Sequence, residues 1–254
     1  MVDYFYLLAS FPSVELNSEP PISFHSLMWR LEMNLEEKDF EKIKDFLRYF
    51  DLLNLRAFWQ KKTLDPWGNL DEKGIEEALL VETEFPEFVF DYLKKYKSDE
   101  ERCKFFPELL LAYYSYMIER KKGFIQVYFI FQKTIRFLIS EKKIEKGGKE
   151  KERELFFADL KDIALQEILQ KSDSYEDLNF DYRPLVKLIE EQFENPMGLF
   201  NGLMEFQFSK ITELALDSMF SIDKILQYLA LLRIATEVSS LDQEKGEQII
   251  GQIA

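Results

Sequence analysis

His25 is the only histidine and Cys103 the only cysteine among 254 residues, and this scarcity narrows the available chemistry at once. A histidine-based triad would have to assemble around ISFHSLMW, yet no Gly-x-Ser-x-Gly elbow precedes any serine. A zinc site takes several Cys or His ligands at close spacing. Phosphate-cradling loops need clustered glycines, and neither the G-x-G-x-x-G turn nor the P-loop pattern occurs. His25 therefore reads as a loop or helix-start residue. Carboxylates are plentiful, at 47 Asp plus Glu, so pairs such as Glu190 and Glu194 arise on any acidic helix and read as a solvated face. No catalytic, cofactor-binding or metal-ligating residue is expected, and no enzymatic role. The stretch LDPWGNLDEKG (64–74) has the acids and amide of a calcium loop at alternate positions, but Leu70 stands where that loop requires glycine. It reads instead as a turn opened by Asp-Pro, with Gly68 and Asn69 tolerating positive φ.

One polar pair is out of place. The run YFDLLNLRAFWQKK (49–62) would suit a protein core, yet it holds Asp51 and Asn54 three residues apart. Three readings are open. Asp51 caps a helix that restarts after Phe50, or it pairs with Arg48 one turn back on a continuous helix. In the third, Asp51 and Asn54 form a buried polar staple that fixes how the helix meets its neighbours, since buried polar groups need partners. All three are structural.

These residues must be positioned by helices. Glycine and proline number only 9 and 8, too few for the many tight turns of a sandwich or barrel. Phe40, Ile43, Leu47 and Phe50 recur at helical spacing, and the stripe continues through Asn54. Asn34 with Glu37 resembles a capping box at the start of that helix. Further helices are expected near 75–81, 84–96, 108–119, 124–141, 152–170, 182–193, 199–219 and from about 222 to 239. NPMG (195–198) is read as a turn, LDQEKG (241–246) as the start of a tail, and residues 3–16 as a short strand or helix. The sum is an all-α multi-helix bundle of about nine helices. A single domain over 1–254 is expected, with loops near 64–74, 145–151 and 194–198 separating helical lobes. LNLRAFWQKK (53–62) is echoed by KTIRFLISEK (133–142) and, more faintly, by LLRIATEV (231–238), which suggests three lobes. Arg56, Arg136 and Arg233 hold the same place in the three echoes.

The charge excludes some partners. Lys plus Arg number 33, for a net charge of −14, so the surface repels phosphate backbones and no nucleic-acid role is expected. The one dense basic run, KKIEKGGKEKERE (142–154), is diluted by acids and reads as a solvated linker or helix tip. A lone cysteine allows no intramolecular disulfide and fits a reducing cytoplasm. The N-terminal stretch has no basic n-region, so no secretory signal is expected. The longest apolar tract, FIQVYFIF (124–131), falls short of the roughly 20 residues that span a bilayer. Aromatic residues, at 15%, are expected to fill the core, with some lining an interface.

YFDLLNLRAFWQKK resembles the repeated helix signature of the C-type (or d-type) stalk component of V-type and A-type ATPases, the funnel-shaped protein seated on the rotor ring. YFYLLASF resembles the tyrosine-rich opening of the same component. Over nearly the full length, the chain is similar to an uncharacterised bacterial family encoded beside V-type ATP synthase subunits, through DYFYLLASFP, FDLLNL, DPWGN, EFPEF, YYSYM and LDQEKG. The resemblance implies an all-α, three-lobed protein without an active site, peripheral to the membrane at its cytoplasmic face. It implies the central stalk and membrane rotor ring of the ATP synthase as partners, and a place in coupling proton transport to rotation. An assembly factor or free helical scaffold that binds the complex transiently is the alternative. Asp51, Asn54, Arg56, Arg136 and Arg233 become candidate structural or interaction residues. The second and third echoes depart from the signature, with Phe131 and Leu229 near the place of the Asp.

Overall fold

The computed structural model describes residues 4–147, 181–214 and 220–253. The protein is all-α, with eleven helices and no strand among these residues. They are α1 (Phe5–Ala9), α2 (Phe24–Asn34), α3 (Glu37–Trp59), α4 (Glu72–Val81), α5 (Glu87–Lys95), α6 (Asp99–Lys104), α7 (Phe106–Arg120), α8 (Phe124–Gly147), α9 (Arg183–Gln192), α10 (Pro196–Glu213) and α11 (Ile222–Ile253). None is long and apolar enough to cross a membrane. Two compact units emerge, residues 22–126 and residues 1–21 with 127–254, and the division falls inside α8. The 64–74 loop lies within the 22–126 unit and the 194–198 segment within the other.

In the 22–126 unit, α3 is the axis. Its 23 residues bury Ile43, Phe46, Leu47, Phe50, Leu55 and Trp59 on one side, the spacing of an amphipathic helix. Aromatic rings fill the space around it. Tyr49 stacks on Tyr114 at 5.9 Å, with the two hydroxyls 3.2 Å apart. Trp59 stacks on Tyr92 at 6.3 Å, and Tyr96 on Phe105 at 4.6 Å. Local chemistry sets the helix starts. Ser23 accepts from the Ser26 N–H to open α2, and Asp71 from the Gly74 N–H to open α4. Ser98 and Glu101 form a complete capping box at α6.

In the unit of 1–21 with 127–254, α10 packs against both α9 and α11. Gln132 of α8 donates to the Gln207 side chain of α10 at 2.7 Å. Gln227 of α11 is 1% exposed and donates to the carbonyls of Ile211 and Leu214 at the end of α10. The last carbonyls of a helix have no partner within it, and here a side chain of the next helix supplies one. The N-terminal segment joins this unit through the Tyr4 N–H, which donates to the Phe220 carbonyl at 2.9 Å, and through the Tyr228 hydroxyl, which donates to the Pro12 carbonyl at 3.0 Å.

Several local expectations change. Residues 5–9 form a single short helix and no strand. Asn34 caps nothing; it ends α2 and donates to the Arg30 carbonyl, while α3 opens at Glu36 with no side-chain cap. Leu35, with ψ 149°, separates the two helices, so the Asn34 amide meets the turn behind it. NPMG starts a helix: Asn195 accepts from the Gly198 N–H and Pro196 takes the first helical position. Helix α10 ends at Glu213, and α11 runs on through the expected tail. Helix α6 was not expected at all. The helix expected at 152–170 lies outside the described residues.

Replacing Gln227 by Leu keeps the bulk and removes the donor that serves two carbonyls at the end of α10. Gln227→Leu is expected to destabilise the protein by about 1–2 kcal/mol, measured as a lowered urea midpoint with an unchanged slope.

Candidate functional site

Helix α3 sets Asp51 and Asn54 one turn apart, each 1% exposed. The helix is unbroken, so Asp51 caps no restart, and Arg48 extends to Glu84, at 3.3 Å. Both polar side chains are spent on the 65–70 loop. The Asn54 amide takes both backbone groups of one residue, donating to the Asp65 carbonyl at 2.9 Å and accepting its N–H at 2.7 Å. Asp51 takes the other end, accepting the Leu70 N–H at 2.9 Å and the Asn69 side-chain amide at 2.7 Å. Asn69 also donates to the Lys44 carbonyl at 3.1 Å. Between these anchors the loop turns Trp67 inward, stacked on Phe24 at 4.2 Å and beside Phe50 at 5.8 Å. The pair is a polar staple.

Gly68 is needed here for a different reason from the one its turn suggested. The positive-φ glycine of the described chain is Gly123. At Gly68 a Cβ would stand 2.6 Å from Asn54 Nδ2 and 2.7 Å from Asp51 Oδ1. Both side chains are pinned by two hydrogen bonds each, so neither can step back. The loop approaches α3 this closely because residue 68 has no side chain.

Within the calcium-loop pattern, Asp65 and Asn69 are engaged by the protein itself. Glu76 stands in the twelfth place counted from Asp65 and is exposed on α4. Asp65 accepts the Trp67 N–H at 3.0 Å and Asn69 is bound to Asp51. No group of three or more His, Cys, Asp or Glu among the described residues is placed to hold a metal.

Burial pushes the Asp51 carboxyl above its ordinary value. The Asn69 side chain, the Leu70 and Asn69 N–H groups and the Arg48 charge pull the other way without cancelling it.

Arg56 belongs to the 22–126 unit, and Arg136 and Arg233 to the other. Arg56 is exposed on α3 with its guanidinium 5.6 Å from the Phe106 ring. Arg136 is exposed on α8, and Arg233 of α11 pairs with Glu237 one turn on at 2.8 Å. The staple itself does not recur in the echoes. Phe131 is fully buried 5.9 Å from the Phe206 ring and 6.0 Å from that of Tyr182. Thr134, which matches Asn54, donates to its own helix at Ile130, and Leu229 is buried. His25 is the exposed second residue of α2, and Cys103 is half-buried in α6.

A family model described as "Protein of unknown function (DUF2764)" matches residues 1–254. The chain belongs to this family. Two relatives share its length. An "Uncharacterized protein" of Chlamydia muridarum (strain MoPn / Nigg) is 26% identical over 98% of this chain and 97% of its own. An "Uncharacterized protein" of Chlamydia trachomatis serovar D is 26% identical over 96% and 95%. No solved structure matches.

Gly68→Ala forces a methyl group against two pinned side chains, and a loss of about 1–3 kcal/mol is expected, followed by urea denaturation on the fluorescence of buried Trp67. Asp51 adds a pH signature. Its folded carboxyl holds a proton more tightly than the unfolded chain does, near 3.8. Stability from this group is therefore greatest at and below that value, and falls as pH rises through the raised folded value. The stability advantage of the wild type over Asp51→Asn should shrink from pH 4 toward pH 7, as read from paired denaturation curves. A gap that widens over that range would contradict the burial argument.

Proposed function

We propose that this protein is a non-catalytic subunit of a V-type ATP synthase or ATPase. In that reading it is a part like the C-type (or d-type) stalk component, placed at the cytoplasmic face, that couples the central stalk to the membrane rotor ring. One observation carries the reading. Four of the segments that resemble the ATP-synthase-associated family lie in one unit and meet in pairs, FDLLNL with DPWGN and EFPEF with YYSYM. Asp51 and Asn54 hold the ends of DPWGN. Phe88 of EFPEF lies 5.5 Å from Tyr116 of YYSYM, and Tyr114 of YYSYM stacks on Tyr49 of α3. These segments meet through packing contacts between helices and a loop, and Asp51 and Asn54 among them anchor the loop's backbone. That is how a part that bears load is built, and it leaves recognition of partners to the outer surface. The net charge of −14 favours basic partner surfaces.

The test is recovery of the tagged protein from its own cell membranes, with the co-purified subunits quantified by mass spectrometry. One copy per complex, retained through washing together with stalk and ring subunits, is the expected result. Substoichiometric recovery would make it a transient assembly factor, and recovery without ATPase subunits would end the proposal. Asn54→Leu in the same experiment should lower recovery while leaving helix content by circular dichroism close to wild type.

A further inference from the structure

A cleft of about 340 Å³ opens where α3, the segment before α5 and α7 meet, lined by Asp45, Arg48, Glu84, Phe85, Tyr113 and Tyr116 among others. Its volume falls at the small end of ligand pockets, about 300–1,000 Å³. Arg48 stands in it with one hydrogen bond, to Glu84 at the long distance of 3.3 Å. A guanidinium carries five donors in a fixed fork, so most of that fork is uncommitted. The second cation at this place is committed, since Lys121 is paired with Asp45.

The partner of Arg48 sits on an unusual backbone. Glu82 and Glu84 have φ of 51° and 63°, two of the three non-glycine residues with positive φ in the described chain. Such conformations cost energy and persist where the surroundings hold them. Here the Phe85 N–H closes a tight turn on the Thr83 carbonyl at 2.8 Å, and the turn presents Glu84 to Arg48. The Glu84 side chain is half exposed, so it can leave without opening the core. Tyr113, 1% exposed, lines the same cleft. Its hydroxyl donates to the Asp45 carbonyl at 3.5 Å, the long limit of such a bond. Burial keeps that phenol protonated, so it meets an anion as a donor.

We propose that this cleft binds a carboxylate group, which displaces Glu84 and takes the Arg48 fork and the Tyr113 hydroxyl. A planar monoanion matches the guanidinium in shape. A dianion such as phosphate would bring a second negative charge that the Arg48 guanidinium alone is left to balance, since Lys121 is committed to Asp45. The carboxylate comes either from a free small acid or from an acidic side chain of a polypeptide. Carboxylate binding by the isolated chain does not require membership in a rotary complex.

The test follows backbone NMR signals of the ¹⁵N-labelled full chain against propionate, an acetylated and amidated Gly-Glu-Gly peptide, and propionamide. Saturable shifts at Phe85, Tyr113 and Tyr116 with propionate or the peptide, and none with propionamide, are expected. Saturation by propionate assigns a free acid, and saturation by the peptide alone assigns a polypeptide carboxylate. Glu84→Gln removes the competing anion and should tighten binding by up to about fivefold. Arg48→Lys keeps the charge near Asp51 and loses the fork, and should weaken binding by about tenfold or more. The proposal is overturned if neither carboxylate saturates the Glu84→Gln protein, if propionamide gives the same shifts, or if Arg48→Lys, folded by near-UV circular dichroism, binds as the wild type does.

Discussion

Backbone groups that face a helix have no water to bond with and must find partners in the side chains there. In the 65–70 loop that requirement falls on Asp51 and Asn54. Asn54 answers both backbone groups of Asp65, and Asp51 answers the N–H of Leu70. Much of the 22–126 unit follows from these bonds. Held at both ends, the loop drives Trp67 against Phe24 of α2 and Phe50 of α3. Its last residue precedes Asp71, whose side chain opens α4. One polar pair thus fixes the approach of a loop, the seat of a tryptophan and the start of a helix. Gly68 is the geometric condition for all of it.

The other unit uses the same device with different residues. Gln227 is buried on α11 and serves the carbonyls at the end of α10, while Gln132 and Gln207 join α8 to α10. Such bonds add little net stability, because the unfolded chain bonds to water as well. What they add is selectivity among packings. An apolar helix face can slide or rotate against another at small cost, whereas a buried amide leaves its partner unsatisfied if the register changes.

Helix positions were legible because apolar spacing is a local signal, and α3, α7, α8 and α9 follow from it. The Asp51 and Asn54 staple was legible as a need for partners, but the partners themselves were not. They lie 11 to 19 residues away in sequence, and no periodicity points to them. Gly68 misled because glycine serves two ends, backbone freedom and close approach, and the residue type does not say which. Asn34 misled because its side chain bonds equally well to the turn before it as to the turn after. The capping box at Ser98 and Glu101 was written plainly in SDEE, yet its helix is too short to show a period. The echoed Arg56, Arg136 and Arg233 share a sequence context and differ in surroundings, because a short motif fixes a helix face and leaves its neighbours open.

The inward commitment of polar groups also bears on function. A catalytic group is held so that some of its bonding capacity faces a reactant, and Asp51 and Asn54 instead turn theirs onto backbone and a neighbouring amide. Segments anchored at both ends by buried bonds open locally only at high free energy. Arg48 is the exception within the same helix. It lies one turn before Asp51, yet its fork meets a single exposed carboxylate carried on a left-handed backbone. The contrast between a saturated pair and an unsaturated arginine on one helix separates what holds this unit together from what it has left to offer a partner.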